Sequence, residues 1–152
     1  MDVRVEAVPA SITFPLRQQV LRTHQAPGQL ALPGDDDPDT CHVAALTPAG
    51  EVVGTANVRR QAPPWEPGAD DTWRLRGMAT SPELRGRGIG ARLLQSVLAH
   101  VDAHGGGLVW CNARLPAQRF YEHAGFVTRG EPWIEPDLGP HVVMWRQVTA
   151  GA

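Results

Sequence analysis

The stretch RLRGMATSPELRGRGIGARLLQSVLAHV, residues 74–101, constrains this chain more than any other. Gly77, Gly86, Gly88 and Gly90 fall before residue 91, and a regular apolar helix pattern follows. Glycine loses more backbone freedom on folding than any other residue, so a cluster of it beside a well-formed helix points to backbone that something must approach closely. The order strand, RGRGIG, helix sets exposed backbone N–H groups at the positive end of a helix dipole, where a phosphate accepts several hydrogen bonds together. Arg85 and Arg87 add charge without competing for those donors. Two other phosphate loops do not fit: a P-loop needs a Gly-Lys-Ser/Thr ending, and Gly86, Gly88 and Ala91 break the G-x-G-x-x-G fingerprint. The plain alternative is an arginine-glycine surface turn.

Around this loop the chain reads as alternating short elements. VRVEAV, residues 3–8, alternates apolar and charged side chains as a half-buried strand does. SITFPLRQQVLR predicts a helix whose apolar face is Ile12, Leu16 and Val20, with Ser11 or Thr13 as its cap and Pro15 in its first turn. QAPGQLALPGDDDPDT, residues 25–40, is too rich in Pro, Gly and Asp for a regular element and reads as a mobile surface loop. Residues 41–60 carry two β-prone runs around TPAG and predict a hairpin. After an irregular stretch, TWRLRGMAT at 72–80 reads as the fourth strand, with Trp73, Leu75 and Gly77 on one side.

Past the glycine loop, Ile89, Leu93, Leu94, Val97, Leu98 and Val101 recur at helical spacing and define a face packed on the sheet, with Gly105 as the stop. GLVWCNA, residues 107–113, is a continuous apolar run suited to an interior strand. PAQRFYEHAGF opens with Pro116 and closes with Gly125, as a short helix does. FVTRGEPWIEPDLGPHVVMWRQV reads as two final strands around a Pro/Gly loop. No linker or internal repeat divides the chain, so residues 1–152 are expected to form a single domain.

With 152 residues and 42% hydrophobic content the chain is long enough to bury a continuous core. A formal charge of −2 argues against a nucleic-acid or membrane-surface partner, and no apolar run approaches the roughly eighteen residues a bilayer demands. All 14 basic residues are arginine, planar forks suited to carboxylate and phosphate. Cys41 and Cys111 fit neither a redox pair nor a zinc framework, and no signal segment leads the chain, so the expected setting is cytoplasmic.

The residues Arg85-x-x-Gly88-x-Gly90, approached through MATSPELRGRGIGARLL, resemble the acetyl-coenzyme A motif of the GNAT superfamily of N-acetyltransferases. The resemblance is strongest over residues 73–126 and includes WCNA and RFYEHAGF at the family's separation. It implies an α/β (α+β) fold: a mixed, mostly antiparallel sheet of six to seven strands, splayed between strands four and five and flanked by helices. Pantetheine would pair in that gap. By position, Met78, Ala79 and Thr80 would bind the pantetheine arm and offer an N–H to the thioester oxygen, while Arg85, Gly86, Arg87, Gly88, Ile89, Gly90 and Ala91 would hold the pyrophosphate. Asn112 looks like the family's pantetheine-side amide, and Tyr121 falls where many members place a general acid. No residue is marked as general base by spacing; His141, Glu131 and Glu135 are candidates because the last hairpin often borders the acceptor, and His141 leads them.

The implied reaction is direct acetyl transfer from acetyl-coenzyme A to a primary amine of a small molecule or peptide, with no metal; the resemblance also admits a homodimer. A non-catalytic acyl-coenzyme A sensor or scaffold of the same fold is the rival reading, and Tyr121 separates the two, because a sensor has no use for an acid at the sulfur. Other features carry competing readings. His100 and His104 stand four apart on one helix face, a zinc spacing without a third ligand, or two imidazoles at a helix C-terminus. Cys111 is an acyl nucleophile or a small core residue. DDDPD, residues 35–39, is a solvated loop or, in light of the resemblance, an acidic guide for a cationic amine, with Trp65 and Trp133 as aromatic faces or as packing.

Overall fold

The computed structural model describes residues 2–21 and 31–151. Along the chain run β1 (Arg4–Ala7), α1 (Ala10–Val20), β2 (Cys41–Leu46), β3 (Val52–Arg60), β4 (Thr72–Thr80), α2 (Ile89–Ala103), β5 (Gly107–Arg114), α3 (Gln118–His123), β6 (Val127–Glu135) and β7 (Gly139–Val148). The strands form one seven-stranded sheet in the order β1-β2-β3-β4-β5-β7-β6. Every neighbouring pair is antiparallel except β4 and β5, which are parallel and joined by the crossover through α2. This is the mixed, helix-flanked sheet the motif resemblance implies.

Helix α2 is built as its sequence dictates. All six residues of the apolar face, Ile89, Leu93, Leu94, Val97, Leu98 and Val101, are buried, each worth on the order of 2 kcal/mol of transfer free energy. Trp73 of β4 is fully buried beneath the last turn of this helix, its ring edge-on to those of His100 and His104. Those two histidines are used structurally: His100 Nε2 lies 2.8 Å from the Asp39 carbonyl, and His104 Nδ1 lies 2.8 Å from the His100 carbonyl. The predicted strand at 72–80 coincides with β4, and the predicted hairpin and final strand pair fall on β2–β3 and β6–β7. The compact helix at 116–125 divides into a 3-10 turn at Leu115–Ala117, accommodating Pro116, followed by α3.

Helix α1 departs from its sequence reading. It starts at Ala10 after Pro9, with no side-chain cap, so Ser11 and Thr13 are not caps and Pro15 lies inside the helix rather than in its first turn. Its buried residues are Ala10, Thr13, Leu16 and Arg17, while Ile12 is 45% exposed. The helix therefore turns a polar stripe inward. Thr13 Oγ1–H donates to the Ala10 carbonyl and accepts from Arg17 Nη1 at 3.1 Å, so the buried hydroxyl is satisfied on both sides.

The segment 31–40 is also not the free surface loop that its composition suggests; residues 25–30 of that reading lie outside the described residues. Arg59 Nη1 donates to the Pro33 carbonyl at 2.6 Å, and Thr40 Oγ1 donates to Gly34 at 2.6 Å. Asp35 is buried against Arg76 (3.5 Å) and His42 (3.6 Å), Asp37 lies 3.8 Å from Arg59, and Asp39 accepts from Arg60 at 2.8 Å. The acidic run serves as counter-charge to strand arginines, which the local sequence does not show. Among the described residues no helix is long and apolar enough to cross a membrane.

Candidate active site

Strands β4 and β5 run together only at the pairs Thr72–Leu108, Trp73–Val109 and Arg74–Trp110. Beyond Arg74 they part, while β5 stays paired with β7 all the way from Gly107 to Arg114. The backbone edge of β4 from Leu75 to Thr80 consequently faces no strand, and its polar groups on that side are open to a ligand. The opening holds a cleft of about 470 Å³, within the range of small-molecule sites.

A bulge shapes this edge. Thr55 of β3 stands opposite Ala79 and Asn57 opposite Arg76, so Gly77 and Met78 together face Ala56 alone. Gly77 takes φ +64°, a left-handed conformation that the extra residue imposes, and Thr55 Oγ1–H fixes it by donating to the Gly77 carbonyl at 2.8 Å. A glycine inside a strand is the sequence signal for such a kink. The expectation of Gly77 as an ordinary alternating position on the side of Trp73 and Leu75 missed it.

Met78, Asn112, Tyr121 and His141 all border this one cleft. Asn112 is exposed on β5, opposite Val143. His141 is buried on β7, opposite Arg114 on one side and Trp133 on the other. Its Nδ1 lies 2.9 Å from the Gly139 carbonyl; with Nδ1–H as donor, Nε2 is the ring's acceptor. Trp133 lines the cleft beside it, its ring centroid 5.8 Å from that of His141 and its Nε1–H donating to Glu135 at 2.9 Å. Glu135 therefore reaches the cleft, whereas Glu131 is exposed and does not line it. Trp65 packs elsewhere, edge-on to Trp110 and under the Arg129 guanidinium.

Tyr121 is 6% exposed, its ring against Phe120 and Phe126. Burial pushes its phenol well above the ordinary range, with Cys111 adding to the rise and Arg114 opposing it, so the hydroxyl stays protonated. Burial also pushes the Cys111 thiol up to about 12, against a small opposing effect of Arg74. A thiol held neutral in this way is a core residue and a poor nucleophile.

The glycine loop adjoins the cleft at its other end. After β4 a 3-10 turn at Pro82–Leu84 leads to exposed Arg85, Gly86, Arg87 and Gly88. Gly88, at φ +79°, occupies the N-cap of α2, and no atom lies within 4 Å of where its Cβ would stand. The space beside Gly88 is thus open at the positive end of a 15-residue helix that has no acidic residue in its first turn, where the N–H groups of Ile89, Gly90 and Ala91 lack intrahelical partners. Gly90 faces Phe120, which lines the cleft, so loop and cleft are contiguous. These features fit a pyrophosphate at the helix end and an extended arm along β4.

Sequence reasoning overlooked the most charged part of the site. Arg17, Arg59, Arg74, Arg76 and Arg114 all line the cleft. They come from α1, β3, β4 and β5, and no local pattern announces them.

Comparison with known proteins agrees with this geometry. A family model described as the acetyltransferase (GNAT) family matches residues 12–126. The uncharacterized N-acetyltransferase YitI of Bacillus subtilis is 29% identical over 144 residues, covering 95% of each chain. Among solved structures, Escherichia coli ElaA superposes with a TM-score of 0.76 at 22% identity, covering 95% of this chain and 99% of that one. The Sinorhizobium meliloti phosphinothricin acetyltransferase, solved in complex with acetyl-coenzyme A, gives 0.74 at 20% identity, covering 98% and 90%. The two structures share the fold; the family model, spanning most of the chain and containing both the glycine loop and the parted strands, assigns the protein to the acetyltransferase (GNAT) family.

Proposed function

We propose that this acetyltransferase moves an acetyl group from acetyl-coenzyme A directly to a primary amine of a small molecule. The observation that carries the reading is the free β4 edge from Leu75 to Thr80, which faces a small-molecule-sized cleft and leads to a helix N-terminus with open space beside Gly88. The structural neighbour solved with acetyl-coenzyme A supports the choice of donor.

The cosubstrate supplies an acetyl group already activated as a thioester. The backbone of Met78, Ala79 and Thr80 orients it, with one N–H polarising the carbonyl, and the amide of Asn112 steadies the arm from β5. Residues 85–91 hold the phosphates. His141, through Nε2, takes the proton that the amine loses as its nitrogen bonds to the acetyl carbon. The carbon–sulfur bond breaks, and Tyr121, kept protonated by burial, donates to the departing sulfur; afterwards His141 releases its proton to solvent and Tyr121 regains one from it. Atoms and charge balance: amine and thioester become amide and thiol.

A screen of small primary amines and peptides for free-thiol release from acetyl-coenzyme A, with product mass read by spectrometry, tests this. Turnover with release of free coenzyme A and an acetylated amine is the expected result. Tight coenzyme A binding with no transfer to any amine would instead favour a sensor or scaffold of the same fold.

A further inference from the structure

The outer strand β6 is out of simple register with β7 beside His141. Arg129 stands opposite Val143, and an unbroken ladder would carry on to Gly130 opposite Val142 and Glu131 opposite His141. The ladder instead shifts between Arg129 and Trp133, and Trp133 becomes the partner of His141. Gly130 takes φ +75° within this bulge, and Pro132 has no N–H to offer a ladder. A shift from residue 131 to residue 133 keeps the same face of the strand inward. Trp133 and Glu135 are accordingly half-buried, while Ile134 between them is 73% exposed. The bulge thus exchanges a carboxylate for an indole at the position against the imidazole.

Three contacts run in series from there. Glu135 Oε2 accepts from Trp133 Nε1–H at 2.9 Å. The Trp133 ring lies against that of His141, with centroids 5.8 Å and planes 34° apart. His141 Nδ1 lies 2.9 Å from the Gly139 carbonyl, and a carbonyl only accepts, so Nδ1 carries the proton and Nε2 keeps its lone pair. Which nitrogen is protonated in a neutral imidazole follows from such a bond, and the bond lasts only while the plane of the ring is held. On the β5 side, Arg114 stands opposite His141 but sends Nη2–H to the Leu21 carbonyl at 2.7 Å. Among the described residues, Trp133 supplies the ring that packs on the imidazole.

We propose that Trp133 is a positioning residue for His141: tied down by Glu135, its indole holds the imidazole in the Nδ1–H form, which leaves Nε2 to take the proton of the acceptor amine. The shifted register gives the reason for an indole here. Glu131 at this position would set a carboxylate beside the ring, a second acceptor competing with the Gly139 carbonyl for the imidazole proton. The face of an indole restricts the ring without offering a rival carboxylate. The proposal rests on the acetyltransferase reading, in which His141 is the base, and adds the residues that fix that base in its working form.

Long-range proton–nitrogen correlation spectra of isotope-labelled protein test this without turnover, the His141 signals being identified by their loss in His141→Gln. The expected wild-type result is the Nδ1–H tautomer. Trp133→Leu should move a measurable share of the ring to the Nε2–H tautomer, and so should Glu135→Ala, which only unties the indole and serves if the first variant folds poorly. Glu135→Gln, whose amide oxygen still accepts from Trp133, should restore the wild-type tautomer. An Nε2–H tautomer in the wild type, or an unshifted one in both Trp133→Leu and Glu135→Ala, overturns the proposal and leaves the acetyltransferase reading standing. With an amine acceptor in hand, Trp133→Leu should lower kcat about 10- to 100-fold, with the Kd of coenzyme A within about twofold. In the His141→Gln background the same change should cost less than about twofold, because a residue acting through His141 has nothing left to position. A full additive loss there would make Trp133 a contact of the substrate and overturn the positioning role. Absence of turnover with every amine overturns the acetyltransferase reading instead, and with it the catalytic purpose given to the tautomer.

Discussion

Arg59 and Arg74 face each other across the β3–β4 ladder, two permanent cations at directly opposed positions beside the point where the sheet opens. A sheet optimised for stability alone would place an acid at one of them. The arrangement persists because residues 31–40 fold over it, with the Pro33 carbonyl accepting from Arg59 and Arg76 while Asp35 pairs with Arg76. Stability and site are thus coupled: the loop's carboxylates hold in place the cationic wall of the cleft.

Asp35→Asn tests that coupling. The substitution leaves Arg76 without its buried counter-charge, and losing one partner of a buried pair costs about 3 kcal/mol or more. Chemical unfolding should show a loss of that order, against less than about 1 kcal/mol for Asp37→Asn, whose carboxylate is largely exposed. Equal effects of the two variants would contradict the structural role given to Asp35.

Gly88→Val addresses the phosphate loop. A side chain at φ +79° costs about 1–2 kcal/mol in backbone strain, and the new methyls stand in the space before the first-turn N–H groups of α2. Losing one hydrogen bond to a charged phosphate is worth about 1.5–3 kcal/mol, so the Kd for coenzyme A should rise about 10- to 100-fold. Unchanged affinity by calorimetry would remove the loop from the cofactor site.

Tyr121→Phe keeps the ring against Phe120 and Phe126 and removes only the hydroxyl. A positioned general acid contributes about 10²–10⁴ in rate, so kcat should fall by that factor while coenzyme A affinity and Tm barely move. Burial holds the phenol protonated beyond the ordinary range, so Tyr121 should impose no alkaline limb on the rate below about pH 10. A variant with wild-type kcat, when chemistry is rate-limiting, would reduce the residue to packing.

The buried thiol of Cys111 makes stability pH-dependent. Its folded value is about 12, whereas an unfolded thiol titrates near ~8.5. Between these limits the unfolded chain binds fewer protons than the folded one, so stability falls as pH rises, by up to about 1.4 kcal/mol per pH unit. Below the unfolded value the contribution is constant. Urea unfolding at pH 9 and pH 10 should show a steeper loss for the wild type than for Cys111→Ala, which retains the same-signed effects of half-buried Cys41 and of the buried Tyr121 phenol. Parallel slopes would mean that the thiol reaches solvent.

What could be read from the sequence was local. The apolar face of α2, the span of β4 and the glycine loop each depend on residues close in the chain, and periodicity or glycine spacing reports them directly. The arginine wall depends on strand register and on one helix rotation. Arg59 and Arg74 become neighbours through pairing, and Arg17 turns inward because α1 exposes Ile12 instead of following its apolar stripe. Asp35, Asp37 and Asp39 had the same difficulty, since their partners lie on β2 and β3 and at the middle of β4. Gly77 was legible in principle: a glycine inside a β-run signals a bulge.

The central claim is that the opening between β4 and β5 receives acetyl-coenzyme A, and amide hydrogen exchange with and without coenzyme A tests it most directly. The account predicts that bound coenzyme A slows exchange in two segments, the free β4 edge at Leu75–Thr80 and the loop at Arg85–Ala91, while the outer strand β6 exchanges as before. Binding confirmed by calorimetry, with no added protection in either segment or with protection confined to another part of the sheet, would contradict it.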